Sequence, residues 1–563
     1  MTRFSKHVLA VALFAFWFVV AAGAQSTSVQ RGSRVISGVV LSGASGQPLA
    51  KADVNIRDTQ SQKLVAATTT GDDGGFAFDG LSDGRYVLTA SHRGYLTSAY
   101  QEHDGGISTA IVTGEGLDTT NLRLTLQSDA AIYGTVTEDS GDPVPRARIN
   151  LYARNRGTGR MRRAKAVTAD AMGNFDLPHL APGAYYLCAS GMPWYAGSEP
   201  GTSPPGARIP AALDMAYRTA CYPDGADPSA AEQIVVNPGD SLPLDLLLHP
   251  LPAVHISIQI PNACGGHGNT FPQLHEETFG IPEMLPAGFM IDCSRSPQDG
   301  GSTGTAYSFG MAPGQYEVEL NSARQGGSQG SVHATTIDAS SGELALDSSS
   351  FAAVPSLSGT VTVASGNTPT GIFLQPVGGQ ADGDQLYALV SPDGSFHFNS
   401  APAGKYEVEL AGDRDGRLVV DRIAAQGATA QGRTIEIGNT AAKLSITTVL
   451  ANASVLGKVR SGSKPAGDIF LLMVPASAAA GRDAWRSNQS DSDGSFEFRN
   501  VAPGHYILVA IEEGWNLNWE GPGVIDPYLE RGVSVSIKSS SARIVLETPL
   551  EAQPQIPLSK PAH

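Results

Sequence analysis

Charge is scarce in this sequence. Of 563 residues, 16% are Asp, Glu, Lys or Arg, and the formal net charge is −16. Basic residues concentrate only at Arg160, Arg162, Arg163 and Lys165, between two expected strands, where a solvated hairpin accounts for them. An acidic chain without basic patches suits neither nucleic acid nor an anionic membrane surface. Cysteine is sparse too, with Cys188, Cys221, Cys264 and Cys293 alone. They form no C-x-x-C, which argues against a zinc site and favours disulfides in an exported chain. Three pairings are possible; sequence proximity favours 188–221 with 264–293, each loop contributing about 3 kcal/mol in chain-entropy terms.

Catalytic constellations are missing as well. None of the twelve histidines is followed by Glu three residues later, and His275-Glu276-Glu277-Thr278-Phe279 lacks the second His of His-Glu-x-x-His. A metal-activated hydrolase needs such ligands to hold the ion and its water. Gly-x-Ser-x-Gly occurs at 300–304 and 326–330, but in Gly/Ser-rich loops rather than at a strand-to-helix elbow. Asp491-Ser492-Asp493-Gly494 has the start of a calcium loop, yet runs straight into Phe496, so a hairpin turn is the simpler assignment. No phosphate or dinucleotide loop is present. The expectation is no enzyme, no cofactor and no metal.

Long apolar runs are confined to the start. Arg3 and Lys6 precede an apolar stretch over 8–22, and Ala22-Gly23-Ala24 has the small-x-small form of a signal-peptidase site before Gln25. At about 15 residues the stretch is short of the ~20 needed to span a bilayer. Residues 1–24 thus read as a cleaved signal peptide, and the mature chain as secreted, periplasmic or displayed at the cell surface, with no transmembrane segment.

What is plentiful is glycine (64), proline (36) and repetition. Five stretches align: Gly75-Phe76-Ala77-Phe78 before Tyr86; Asn174-Phe175-Asp176-Leu177 before Tyr185; Ala306-Tyr307-Ser308-Phe309 before Tyr316; Ser395-Phe396-His397-Phe398 before Tyr406; Ser495-Phe496-Glu497-Phe498 before Tyr506. The tyrosines recur about every 100 residues, the mark of a module array. Asp73-Gly74, Asp393-Gly394 and Asp493-Gly494 are turn pairs that open a hairpin. An aromatic-x-aromatic step puts both rings on one strand face. Tyr316-Glu317-Val318-Glu319-Leu320 then alternates apolar in, acidic out. Each module begins with a β-branched strand, as in Ile36-Ser37-Gly38-Val39-Val40 and Ile132-Tyr133-Gly134-Thr135-Val136; module 3 has Val254-His255-Ile256-Ser257-Ile258, without the glycine. Roughly seven strands per ~100 residues, with no amphipathic helix, predicts tandem Ig-like β-sandwiches. Boundaries fall at 33–128, 129–252, 253–353, 354–451 and 452–550. Insertions are expected at 197–227 in module 2 and 261–304 in module 3, and a frayed tail at 551–563.

The string G-x-V, then D-G-x-F-x-F-x-x-L-x-P-G-x-Y, resembles the carboxypeptidase regulatory-like domain. Residues 132–189 carry it most completely, with Gly134, Pro143, Phe175, Pro182, Gly183 and Tyr185 in place. Modules 1, 4 and 5 follow it well, and module 3 departs. The resemblance implies an all-β, seven-stranded transthyretin-like (carbohydrate-binding-like) sandwich and an accessory role.

One constellation remains. Nine residues after the module tyrosine stand Tyr95, Trp194 and Trp515, with aromatic neighbours Tyr100, Tyr195 and Trp519. Modules 3 and 4 have Gln325 and Asp415 there. Rings on loops past a strand end can stack on sugar faces or anchor a protein partner; equally, they can fold back on their own sandwich or fill a joint between modules. Two functions follow. One is a polysaccharide- or surface-protein-binding chain with exposed Trp194 and Trp515. The other is an envelope spacer or scaffold, with the rings buried in joints. An accessory subunit of an exported enzyme is a third.

Overall fold

The computed structural model describes residues 32–556 except 104–105, 155–160, 197–209, 224, 226–227, 261–268, 286–287, 294–303, 324–328, 341–342, 348–349, 354, 364–367, 378–385, 399–400, 402, 412–417, 478–483, 520 and 522. The signal-peptide stretch 1–24 lies outside the described residues.

The chain is built almost wholly of strands, arranged as five β-sandwiches in tandem. One rule organises each of them. The opening strand pairs antiparallel with the aromatic hairpin strand and parallel with the closing strand. In module 1, Arg34–Ser42 lies between Gly75–Leu81 and Leu122–Leu126. The facing sheet is Leu64–Thr69, Asp53–Asp58 and Gly84–Ser91, extended by Ser98–Ala99 and Ile111–Thr113. Modules 2, 4 and 5 repeat the opening trio as Ala130–Glu138, Leu357–Val363 and Ala453–Ser461 with their partners. Each sandwich closes on its own apolar cluster, with Phe76 and Phe78, Phe175 and Leu177, Phe396 and Phe398, or Phe496 and Phe498 inside. Period-two patterning thus does what it should: alternate side chains enter the core and the rest face out.

The glycine of the opening strand has a steric cause. A Cβ on Gly38 would lie 2.2 Å from the Leu122 carbonyl oxygen, one on Gly134 2.1 Å from that of Leu244, and one on Gly359 2.3 Å from that of Leu444. In modules 1, 2, 4 and 5 this glycine faces the first residue of the aromatic step, Phe76, Phe175, Phe396 or Phe496.

Module 3 is slipped by one residue. Its opening strand His255–Ile260 pairs Ser257 with Tyr307 and Ile258 with Ala306. Ala306 and Ser308 are buried, while Tyr307 and Phe309 are only half-buried. The expectation that both rings of this step enter the core fails here, because a one-residue shift turns every side chain to the other face. Ser257 has Ala345 as its parallel neighbour, where modules 1 and 4 put Leu122 and Leu444.

Two other expectations are corrected. The stretch 261–304 is not simply an insertion: Asn269–Thr278 is the strand on which Gly314–Ala323 pairs, and Leu274 and Ile281 are buried. The described part of the tail, 551–556, is not frayed. Ala552 is buried, Gln553 N–H donates to the Ala510 carbonyl, and Ile556 N–H donates to the Tyr528 hydroxyl. Among the described residues, no helix is long and apolar enough to cross a membrane; the only α-helix is Asp526–Leu529.

Candidate functional site

The structure separates the six loop aromatics into three situations. In module 1, Tyr95 and Tyr100 are half-buried against their own core, and Tyr95 meets His92 edge-on at 5.2 Å. Burial pushes the Tyr100 phenol up, and so does the charge of Asp468, which belongs to module 5.

In module 2, Trp194 is 67% exposed, the most exposed of the six. Its ring meets Tyr195 edge-on at 5.7 Å. Tyr195 is held in turn: its hydroxyl donates to Glu138 at 3.0 Å, beside the hydroxyls of Tyr217 at 2.6 Å and Ser140 at 2.8 Å. Burial alone would raise the Glu138 carboxyl. The three hydroxyl donors outweigh it and hold the group below the usual carboxylate range, so it stays ionised. Burial and that charge push Tyr217 and Tyr195 up. Trp194 thus projects from a loop whose base is tied to the sandwich.

In module 5 the expectation of an exposed Trp515 is overturned. The ring is 8% exposed, stacked on His103 of module 1 at 5.3 Å with 10° between planes, and edge-on to Phe470 at 4.6 Å. Trp519 is half-buried, tilted against Phe470 and stacked on Trp485 at 6.4 Å. These rings belong to a second apolar cluster on the outer face of the module 5 sheet, with Phe470, Leu472, Ile525 and Tyr528, and Ile107 of module 1 packs against it.

The sequence carries a signal for that cluster. The strand Phe470–Pro475 is apolar at every position from Phe470 to Val474, and all five are buried. Leu471 and Met473 enter the sandwich core, while Phe470, Leu472 and Val474 enter the outer cluster. An unbroken apolar strand is one covered on both faces.

Module 2 is likewise covered on its outer face, by module 3. Tyr152 donates to Glu283 at 2.9 Å, Arg163 pairs with the same carboxylate at 2.7 Å, and Phe279 packs on Tyr152 and Tyr186. The basic hairpin is therefore not merely solvated. Arg163 neutralises a buried carboxylate of the next module, and Lys165 donates to the Pro178 carbonyl. The Cys188–Cys221 disulfide is formed and lies in this joint beside Ile281. Cys293 is also disulfide-bonded, and Cys264 lies outside the described residues.

One contact recurs from module to module that residue spacing does not reveal. The module tyrosines Tyr86, Tyr185, Tyr316 and Tyr506 each donate their hydroxyl to the carbonyl four residues upstream, at 3.0, 2.7, 2.6 and 2.9 Å. Each pins the Pro-Gly or Asp-Gly turn that precedes its strand, as a tyrosine corner does. Among the described residues no group of three His, Cys, Asp or Glu is placed to hold a metal ion.

Comparison with known proteins agrees with the repeat pattern. No curated protein matches the chain. Among solved structures, it is similar to the Bacillus anthracis TIE protein at 11% identity over 74% of each chain, with a TM-score of 0.17. It is similar to shaft pilin SpaA from Lactobacillus rhamnosus GG at 13% identity, over 39% of this chain and 98% of that one, TM-score 0.19. The minor pilin GBS52 of Streptococcus agalactiae gives 13% identity over 39% and 97%, TM-score 0.20. Likenesses this weak carry no argument about function. The profile of the carboxypeptidase regulatory-like domain matches residues 35–127 and 131–205. Those two matches fall on module 1 and the first part of module 2, and the repeated sandwich is consistent with an array of carboxypeptidase regulatory-like repeats.

Proposed function

We propose that this chain is an exported, non-enzymatic binding protein whose ligand surface is the Trp194–Tyr195 loop of module 2, with carbohydrate as the ligand class. The observation that carries the reading is a tryptophan 67% exposed on a loop anchored through Tyr195 and Glu138. A large ring presented by an anchored loop has little freedom left to lose on binding, and its flat apolar face suits the C–H face of a sugar. Trp515, Trp519 and Trp485 are packed away, so a ligand on the loop would change the fluorescence of Trp194 chiefly. Titration of the mature chain with a polysaccharide panel should give a saturable tryptophan signal that Trp194→Ala removes. A saturable signal that survives Trp194→Ala would reject the loop, and a silent panel would reject carbohydrate.

A second reading, an envelope scaffold, is favoured by a different observation. The module 5 aromatics cement a contact with module 1, and Glu283, Tyr152 and Arg163 cement the contact between modules 2 and 3. The two readings are compatible: a chain fixed by its joints presents one aromatic loop.

A further inference from the structure

The two ends of the array meet. Ser492 N–H of module 5 donates to the Ala110 carbonyl of module 1 at 3.0 Å, and Val112 N–H returns a bond to the Ser492 hydroxyl at 2.9 Å. Gln489 donates its amide to the Thr109 hydroxyl at 2.6 Å and the Gln101 carbonyl at 2.9 Å. His103 pairs with Asp468 at 2.8 Å and stacks on Trp515. Arg85 pairs with Asp491 and reaches Glu497 at 3.5 Å. Partners here are at least 365 residues apart in sequence, so this joint closes the row of modules on itself.

Three features bear on what such a joint can do. Its two faces lie on different modules, so every copy of the chain carries one of each, and the contact is head-to-tail rather than two-fold. Each module also keeps a complete core of its own, Ile36 to Leu126 in one and Ala453 to Ala552 in the other; parting them opens neither core. Finally, the joint is imperfectly satisfied. Arg85 Nε, Gln489 Oε1 and Trp515 Nε1 are buried there without a hydrogen-bond partner. Each such atom gives up water and regains nothing, which lowers the standing of the docked state. A separable contact of this kind, polar around the Trp515–His103 stack and Ile107, behaves like an interface between partners rather than a continuation of a core.

We infer that the same joint forms between molecules, module 1 of one copy docking on module 5 of the next, so that the chain passes from a closed monomer to head-to-tail assemblies. Within one chain, modules 2 to 4 hold the faces at high effective concentration, and closure in cis prevails when the protein is dilute. Crowding on a surface raises the competing concentration and favours closure in trans. Two copies can close on each other reciprocally, and a contact left unclosed leaves one free face at each end for a further copy. This inference rests on the joint and not on the sugar reading of the Trp194 loop.

The test uses the full mature chain in two versions, Ala110→Cys without a tag and Ser492→Cys with an affinity tag, mixed and mildly oxidised over a concentration series. A disulfide-linked pair of tagged and untagged chains should accumulate with concentration. It should fall at least about tenfold when Arg85→Glu is added to the Ala110→Cys copy, since that leaves Asp491 facing a like charge. Gln489→Ala in the tagged copy is a second, milder disruption that should act in the same direction. The double variant Ala110→Cys/Ser492→Cys should give a cross-linked monomer when dilute and a ladder when concentrated. Complete closure of the double variant with no mixed pair at any concentration would overturn the inference, and so would failure of both to cross-link. Neither result bears on sugar binding, which Trp194 reports separately.

Discussion

Asp491 stands at the start of the hairpin turn of module 5 and is buried under Ala110 of module 1. Its surroundings conflict. Burial pushes the carboxyl up to about 6, with Asp493 adding to the rise, while Arg85, Ser495 and a backbone contact at Ala110 pull it down without prevailing. The short Arg85 pair is therefore not a simple gain, since a desolvated ion pair can cost as much as it returns. A carboxyl raised from 3.8 to about 6 stabilises the fold in its neutral form. That contribution is present below pH 3.8, is lost as pH rises through about 6, and amounts to roughly 3 kcal/mol at most. Thermal unfolding of the native chain should thus lose ground relative to Asp491→Asn between pH 4 and pH 6.5, the difference levelling off above pH 7. A difference that ignores pH would show that Asp491 titrates as an ordinary aspartate. The corner tyrosines make a second residue-scale prediction. Tyr185→Phe and Tyr316→Phe keep the ring and remove only the bond to Ala181 or Ala312, so each should destabilise its module by about 1 kcal/mol in denaturant unfolding. The tyrosines were conspicuous by their spacing, but nothing in spacing tells where a hydroxyl points.

Among the elements, the opening strand is the most constrained. Gly38 and Gly134 approach the carbonyl of the parallel closing strand too closely for any side chain. Gly38→Ala or Gly134→Ala must push the two strands apart, and should cost about 2 kcal/mol or more and shift the melting of modules 1 or 2 accordingly. A neutral result would mean that the closing strands are free to slide. The disulfide is the other element-scale device. It joins Cys188 on the strand Gly183–Ser190 to Cys221 on the short strand Ala220–Cys221, across a separation of 33 residues. Replacing both with Ser should lower the stability of module 2 by about 3–4 kcal/mol. Because the bridge also lies against Ile281, the same change should raise protease susceptibility at the joint with module 3. Most strands were legible from alternation and turn pairs, because a strand with one face in a core and one in water must alternate. Two cases were not. In module 3 the aromatic step is present but slipped, and register depends on which partner strand is available, which a single strand does not state. In module 5 the unbroken run Phe470 to Val474 did state that both faces are covered, but not by what.

Across the whole molecule, closure between modules 1 and 5 has a direct consequence. Small-angle scattering of the dilute chain should give a compact particle, and Arg85→Glu should lengthen it toward an extended row of five sandwiches. An extended wild-type particle would mean that the joint does not hold in solution. Sequence alone determined a tandem array of modules, each a β-sandwich; that the hairpin aromatics enter the core holds in modules 1, 2, 4 and 5 and fails in module 3. The array and its sandwiches follow from contacts within about 100 residues, where periodicity and turn chemistry act. Tertiary structure decided the fate of the aromatics. Tyr95 and Tyr100 fold back, Trp194 stays in water, and Trp515 stacks on a histidine of a module four places away. A hydrophobic ring on a loop carries the same local pattern in all three settings. What separates them is whether another surface arrives to cover it, and that is settled by how modules distant in sequence come together.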